Sequence, residues 1–217
     1  MLIRYIAHSE FLLTDDHGFR LVTDPYDAHV GYPVQKIEAD AVTVSHGHGD
    51  HSCVENIAGD PILLDRAGRA SPGPDVIVEQ IPCWHDEVHG AKRGPNLLSL
   101  IEMDGIRLLH CGDLGHLPDA ELVRKAGRVD VILVPVGGFF TIDAAQAKAV
   151  CEAFGPRVII PMHYRTAVNA SWPIAPLDDF LRVMNAAEAE KQELALLRVE
   201  KGDLSEQPRL AVLRMQC

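Results

Sequence analysis

Residues Ser45-His46-Gly47-His48-Gly49-Asp50-His51-Ser52 follow directly on the apolar, β-branched run Ala41-Val42-Thr43-Val44. Four imidazole and carboxylate groups thus stand within six positions behind a strand, the pattern of a metal-binding loop. Side chains two apart on extended backbone share a direction while the next pair projects elsewhere, so all four reach one ion only with strain. Two ions, or one ion and a base, fit the spacing better. Gly47 and Gly49 open conformations closed to other residues, so the ligands can converge past the strand end. A merely polar, His-rich surface turn would not alternate with Gly and Asp behind a buried strand.

The rest of the chain sets limits. Its 217 residues suffice for one substantial core and are few for two full domains, so residues 1–217 are read as a single domain. The composition, 47% apolar and 24% charged, is that of a soluble globular protein. The start, Met-Leu-Ile-Arg-Tyr-Ile-Ala-His, carries no basic leader followed by a long apolar stretch, and no segment approaches the roughly 20 apolar residues of a membrane helix. Cys53, Cys83, Cys111, Cys151 and Cys217 are odd in number, widely spaced and without a C-x-x-C pair, which points to a reduced, cytoplasmic protein. A formal charge of −11, with no basic run longer than Lys92-Arg93, disfavours nucleic acid and leaves a small molecule as the expected partner. The oligomeric state is not legible.

Apolar alternation and β-branched runs predict strands near Leu2–Ile6, Phe11–Leu13, Arg20–Thr23, Ala41–Ser45, Ile62–Leu64 and Val76–Gln80. Further strands are expected at Leu97–Glu102, Ile106–His110, Val131–Val136, Val158–Pro161, Leu194–Val199 and Leu210–Leu213. Asp143 with Gln146 three positions on forms a capping box for a helix that Gly155-Pro156 ends, with Ala147, Val150, Cys151 and Phe154 on one face. A second helix follows Pro176, and a shorter one lies near Pro118–Ala126. Their apolar stripes read as core packing. The Pro72–Pro74 stretch reads as a surface turn. Strands first, strand–helix units second and polar residues at strand ends fit an α/β sandwich with helices outside two sheets.

More candidate ligands stand at strand ends: His85 after Val76–Pro82, Asp113 after the strand closing at His110, and His163 after Val158–Met162. With the first cluster, this ordered set resembles the metallo-β-lactamase superfamily, whose four-layer αββα fold carries a dinuclear site in H-x-H-x-D-H. Within it the chain is similar to small bacterial metal-dependent hydrolases related to L-ascorbate phosphate lactonase. The resemblance runs through Ile-Ala-His-Ser-Glu-Phe-Leu-Leu at 6–13, Thr-Asp-Pro-Tyr at 23–26, Cys-Trp-His-Asp at 83–86 and Cys-Gly-Asp-Leu-Gly-His at 111–116. It continues through Val-Gly-Gly-Phe-Phe-Thr-Ile-Asp at 136–143 and Pro-Met-His-Tyr at 161–164.

The resemblance implies that His46, His48 and His85 hold one metal and Asp50, His51 and His163 a second, with Asp113 bridging. A His/Asp set without thiolate suits Zn²⁺ most readily and also accepts Mn²⁺ or Fe²⁺. Two such ions lower the pKa of a shared water and polarise an electrophile, so hydrolysis of a small ester-like substrate, a lactone or a phosphodiester, is the expected chemistry. Asp50 is the candidate catalytic residue, orienting that water. His8, Arg93, Asn96, His116 and Tyr164 are weaker candidates for binding substrate, while His89 and His110 are read as substrate contacts or as partners of metal-bound imidazoles. Cys111 reads as packing and Asp24-Pro25 as the floor of the site. The alternatives are a nuclease or phosphodiesterase acting on nucleic acid, a di-iron oxidoreductase, and a non-enzymatic metal-binding module. The di-iron relatives carry H-x-E-x-D-H and a flavin domain, whereas position 48 here is His.

Overall fold

Strand pairing in the computed structural model, which describes residues 1–187, 190 and 192–217, follows the apolar runs closely. The first half supplies β1 (Leu2–Ala7), β2 (Glu10–Thr14), β3 (Arg20–Thr23), β4 (Ile37–Glu38), β5 (Ala41–Thr43), β6 (Ile57–Ala58) and β7 (Ile62–Leu64). Next come β8 (Gly68–Gly73), β9 (Val76–Trp84), β10 (Pro95–Met103), β11 (Ile106–His110), α1 (Ala120–Ala126), β12 (Val131–Pro135) and α2 (Ala144–Phe154). The chain closes with β13 (Val158–Met162), α3 (Leu177–Val183), β14 (Leu197–Arg198) and β15 (Arg209–Leu210).

Two sheets form, ordered β14-β1-β2-β3-β5-β7 and β15-β13-β12-β11-β10-β9-β8, with β4 and β6 making a separate parallel ribbon. Among the described residues, both sheets and the three α-helices share one apolar core, which runs from Met1, Ile3 and Phe11 through Leu98 and Ile132 to Val150 and Phe180. The strands β12 and β13 are buried at every position, as strands covered on both faces must be. Two packed sheets with covered outer faces are the sandwich that the resemblance implies, with one layer uneven. The helices all fall after residue 119, while Tyr26, Val30, Tyr32, Ile37 and Ile57 pack on Ile6, Leu12 and Val22 of the first sheet as a second cluster. That outer layer is built from loop, 3-10 turns and the β4/β6 ribbon.

Local chemistry fixes the helix ends. Asp143 and Gln146 close the capping box, and Gly155 in the left-handed region (φ 60°) stops α2; Asp119 caps α1 by accepting from Leu122 N. The stretch Pro72–Pro74 differs from the turn expected of it. Ser71 and Pro72 lie in β8, and the reversal comes at Pro74-Asp75, where Asp75 takes φ 56°. Pro72 falls in the register shift between Ala70 and Gly73 of this edge strand, where proline is tolerated. The strand expected at Leu194–Val199 shortens to Leu197–Arg198, and that at Leu210–Leu213 becomes Arg209–Leu210, with an isolated bridge joining Leu194 to Leu213. Short edge strands with few partners lose ladder length to their neighbouring loops.

Strand direction is what gathers the site. In the first sheet β1, β3 and β5 run the same way, since β2 is antiparallel to both β1 and β3 and β3 is parallel to β5. In the second, β9, β11, β12 and β13 share a direction by the same reasoning. Loops leaving the C-terminal ends of these strands therefore meet at one end of the sandwich, where α/β proteins place their ligands.

Candidate metal centre

Six strand ends contribute. His8 follows β1, Asp24 follows β3, residues 45–51 follow β5, His85 follows β9, Asp113 lies past β11 and His163 follows β13. Three of these residues hold backbone conformations uncommon for non-glycine residues: His8 (φ 56°), Asp24 (φ 41°) and His163 (φ 53°). Such strain persists only where the surroundings over-determine it. Here the fixing bonds are visible, as His8 O accepts from both Tyr5 Oη (2.7 Å) and His163 N (2.9 Å).

Asp113 stands between two groups of histidines. Its Oδ2 is 3.2 Å from His85 Nε2 and 3.9 Å from His46 Nε2, while Oδ1 is 3.2 Å from His51 Nε2 and 3.5 Å from His163 Nε2. His46 Nε2 is 3.0 Å from His48 Nδ1, which completes the first group. Asp50 Oδ2 lies 3.6 Å from His51 Nε2 and 3.2 Å from His8 Nε2, so His8 joins the second. Ligand atoms of His46, His48 and His85 come within 4.8 Å of one another, and so do those of His8, Asp50, His51 and His163.

The polar atoms in this cluster test whether cations fit. His51 Nε2, His163 Nε2 and Asp113 Oδ1 are buried and make no hydrogen bond among the described residues. Buried nitrogens and oxygens left unpartnered and aimed at one another are costly unless something fills the space between them. Electrostatics agree with a cation. Burial holds His46 and His163 down to about 3, so both imidazoles are neutral and able to donate a lone pair. Burial raises Asp113 and Asp50, but neighbouring histidines outweigh it: His163 and His51 lower Asp113 well below the usual carboxylate range, and His51 and the His8 hydrogen bond lower Asp50. Both carboxylates are therefore anionic. Burial lowers His51 as well, but Asp113 and Asp50 outweigh it and raise His51 well above its usual range, so this imidazole would release a proton on binding an ion. The donor set of imidazoles and carboxylates fits divalent ions such as Zn²⁺.

Supporting contacts orient the donors. Asp24, fully buried, accepts from His51 Nδ1–H (2.8 Å), Ser45 N (2.8 Å) and Ser45 Oγ (2.5 Å). Ser45 Oγ is also 2.9 Å from His46 Nδ1, so one carboxylate braces an imidazole in each group. The sequence places Asp24 at the floor of the site, and its position after β3 is the signal for this bracing role. Gly112 (φ 53°) lets the Asp113 loop approach so closely that an added Cβ would sit 2.4 Å from Asn96 Oδ1 and 2.5 Å from Ser45 Cβ.

The weaker candidates separate. Arg93 lines a cavity of about 480 Å³ with His48, Asp50, His85, Asp113, Phe140 and Trp172. Asn96 is fully buried; it bonds Cys111 O and receives Asp113 N, which places it behind the ligand and outside the cavity. Tyr164 packs edge-on against Tyr5 in the core, and His116 accepts from Trp84 N beside a separate, smaller cavity. His110 is buried between Ser9 O and Gly112 N, and His89 is exposed near Trp84. Trp172 and Phe140 wall the cavity, and no local pattern in the sequence marks them for it.

Comparison with known proteins agrees with this geometry. A family model described as the β-lactamase superfamily domain matches residues 2–163. A UPF0173 metal-dependent hydrolase of Carboxydothermus hydrogenoformans is 30% identical over 211 residues, covering 82% of this chain and 88% of the relative. One from Archaeoglobus fulgidus is 28% identical over 220 residues, covering 86% and 91%. A crystal structure from Thermotoga maritima, described as a candidate Zn-dependent hydrolase of the metallo-β-lactamase superfamily, superimposes with TM-score 0.77 at 30% identity, covering 98% of each chain. The chain belongs to the β-lactamase superfamily domain family, within a group whose curated members carry the description metal-dependent hydrolase.

Proposed function

We propose that this chain, a metal-dependent hydrolase, holds two divalent ions, zinc matching the donors best and manganese or iron also compatible, and cleaves a small ester-like substrate such as a lactone or phosphodiester. The observation that carries this reading is the Asp113 carboxylate, whose two oxygens face two separate histidine groups. His46, His48 and His85 would hold one ion, Asp50, His51 and His163 the other, and Asp113 would bridge. When bound, such ions activate water as a nucleophile and polarise the electrophile's oxygen.

The protein's own groups supply the rest. Asp24 fixes the His51 tautomer so that Nε2 faces the cluster, and Ser45 does the same service for His46. Asp50 is the cluster carboxylate most open to the cavity and the one placed to orient a water and accept its proton; His8 Nε2 holds its Oδ2 from behind. Phe140, Trp172 and Pro173 give the cavity an apolar wall, which restricts water around the reacting bond. The 480 Å³ volume and the −11 charge favour a small molecule over a polyanion. No helix among the described residues is long and apolar enough to cross a membrane. All five cysteines are free, which supports a reducing, cytoplasmic setting.

The test is metal analysis followed by a screen of lactones, phosphodiesters and thioesters with Zn²⁺ and Mn²⁺, on the native chain and on Asp113→Asn. Two metal equivalents, turnover on one class and loss of both in the variant are expected. A single equivalent under excess metal would refute the dinuclear reading, and metal-loaded protein inert on every class would refute the hydrolytic one.

A further inference from the structure

The loop that follows His85 carries a cation whose placement the metal site does not explain. Asp86 is buried, and its carboxylate accepts four backbone N–H bonds, from Val88 and Gly90 on Oδ1 and from Lys92 and Arg93 on Oδ2, at 2.7–2.9 Å. These pin the loop from a candidate metal ligand to Arg93 as one rigid unit. Lys92 is neutralised by Glu87. Arg93 is not: among the described residues, no carboxylate stands within ion-pair distance of its guanidinium, although the chain carries 31 acidic residues against 20 basic ones. Its side chain is nonetheless held. Nη2 donates to Phe139 O at 2.8 Å, and the guanidinium lies 6.0 Å from the Phe139 ring centroid and 5.7 Å from that of Phe140.

Phe139 itself takes φ 59°, a strained conformation for an aromatic residue, and the residue is 62% exposed. Two constrained loops, one after β9 and one after β12, therefore meet to present one positive charge. Arg93 lines the metal cavity with His48 and Asp113 and also borders the open cleft of about 790 Å³ containing Val44, Leu63 and Leu97. A guanidinium has five N–H donors in a planar fork, of which one is engaged among the described residues.

We propose that Arg93 is the recognition site for an anionic group, a carboxylate or a phosphate, carried by the substrate next to its scissile bond. This rests on the hydrolytic reading above and narrows it: the substrate is a small ester-like molecule with a negative charge held at the cavity rim. The metal cluster engages the reacting bond, and Arg93 engages the charge, which fixes the orientation between them.

Binding of unreactive analogues tests this without requiring turnover. Calorimetry on the zinc-loaded protein would compare 5-oxopyrrolidine-2-carboxylate with its neutral carboxamide, and phenylphosphonate with its dimethyl ester. The native chain is expected to prefer at least one of the two anions by tenfold or more, and which one tells carboxylate from phosphate. Arg93→Gln should bring that ratio close to one, and Arg93→Lys should keep most of it. No preference in the native chain would overturn the proposal. So would a preference that survives in Arg93→Gln, because the anion would then be held by the metals alone. Protein that shows the Arg93-dependent preference but hydrolyses no ester would leave the anion site standing and refute the hydrolytic reading instead.

Discussion

Replacing Asp24 by Asn is the most informative perturbation of the metal centre, because it changes one atom in a residue that is not itself needed as a ligand. Oδ1 of Asp24 accepts from Ser45 N at 2.8 Å, a bond that the amide oxygen can keep. Oδ2 accepts from His51 Nδ1–H at 2.8 Å and from Ser45 Oγ at 2.5 Å, and an amide NH₂ in its place sets donor against donor at both. The Ser45 hydroxyl can rotate; the imidazole can only switch tautomer, which turns the protonated nitrogen toward Asp113 and removes His51 as a ligand. The lost bond is charge-assisted and fully buried, worth about 1.5–3 kcal/mol, so affinity at the Asp50, His51 and His163 group should fall roughly tenfold to more than a hundredfold. Competition titration with a chromophoric chelator would resolve the two equivalents, with the other expected to shift far less. Unchanged affinity for both, in a variant of native fold, would refute the orienting role.

His85→Ala should weaken metal retention at the His46 and His48 group far more than His89→Ala or His110→Ala; if His110→Ala alone loses an equivalent in titration, the ligand assignment is wrong. His110→Ala should instead lower stability by about 2–4 kcal/mol in urea denaturation, since it empties a buried site, leaves Gly112 N unpartnered and leaves Ser9 O with Thr23 Oγ1 alone as donor. Asp50→Ala should remove most turnover while the circular dichroism spectrum is kept, because its carboxylate faces the cavity rather than the core; retained activity would end its catalytic role. Glu10 gives a pH signature: burial raises it from 4.5 to about 8, so between these values the unfolded chain sheds a proton that the folded chain keeps, and stability falls as pH rises. Glu10→Gln should match the native chain near the lower value and exceed it by roughly 2–5 kcal/mol above the upper one; parallel urea-denaturation profiles across that range would contradict this.

The residues that could be placed from sequence share one property, which is that their evidence is local. The strands β1, β2, β3, β5 and β9 to β13 are set by runs of apolar side chains, and the α2 boundaries by Asp143, Gln146 and Gly155 within one turn of each end. Where the apolar run is short or absent, as in β4, β6 and β8, pairing with neighbours creates the strand. The outer cover of the first sheet was equally illegible, because residues 26–36, outside any strand or α-helix, bury Tyr26 and Tyr32 without any helical period.

By itself the sequence determined a strand-end metal loop at 45–52, a donor chemistry of imidazole and carboxylate, and the sandwich that carries them, since each follows from neighbours along the chain. Tertiary structure alone decided that Asp113 faces both histidine groups, that His8 lies against Asp50 from 42 residues away, that Asp24 braces His51 from 27 away, and that Tyr164 and Asn96 are packed inside. It also decided that Arg93 meets Phe139 across 46 residues. The physical reason is that ligand type is a property of one side chain, whereas the direction in which it points depends on strand order, which many weak apolar contacts across two sheets determine together.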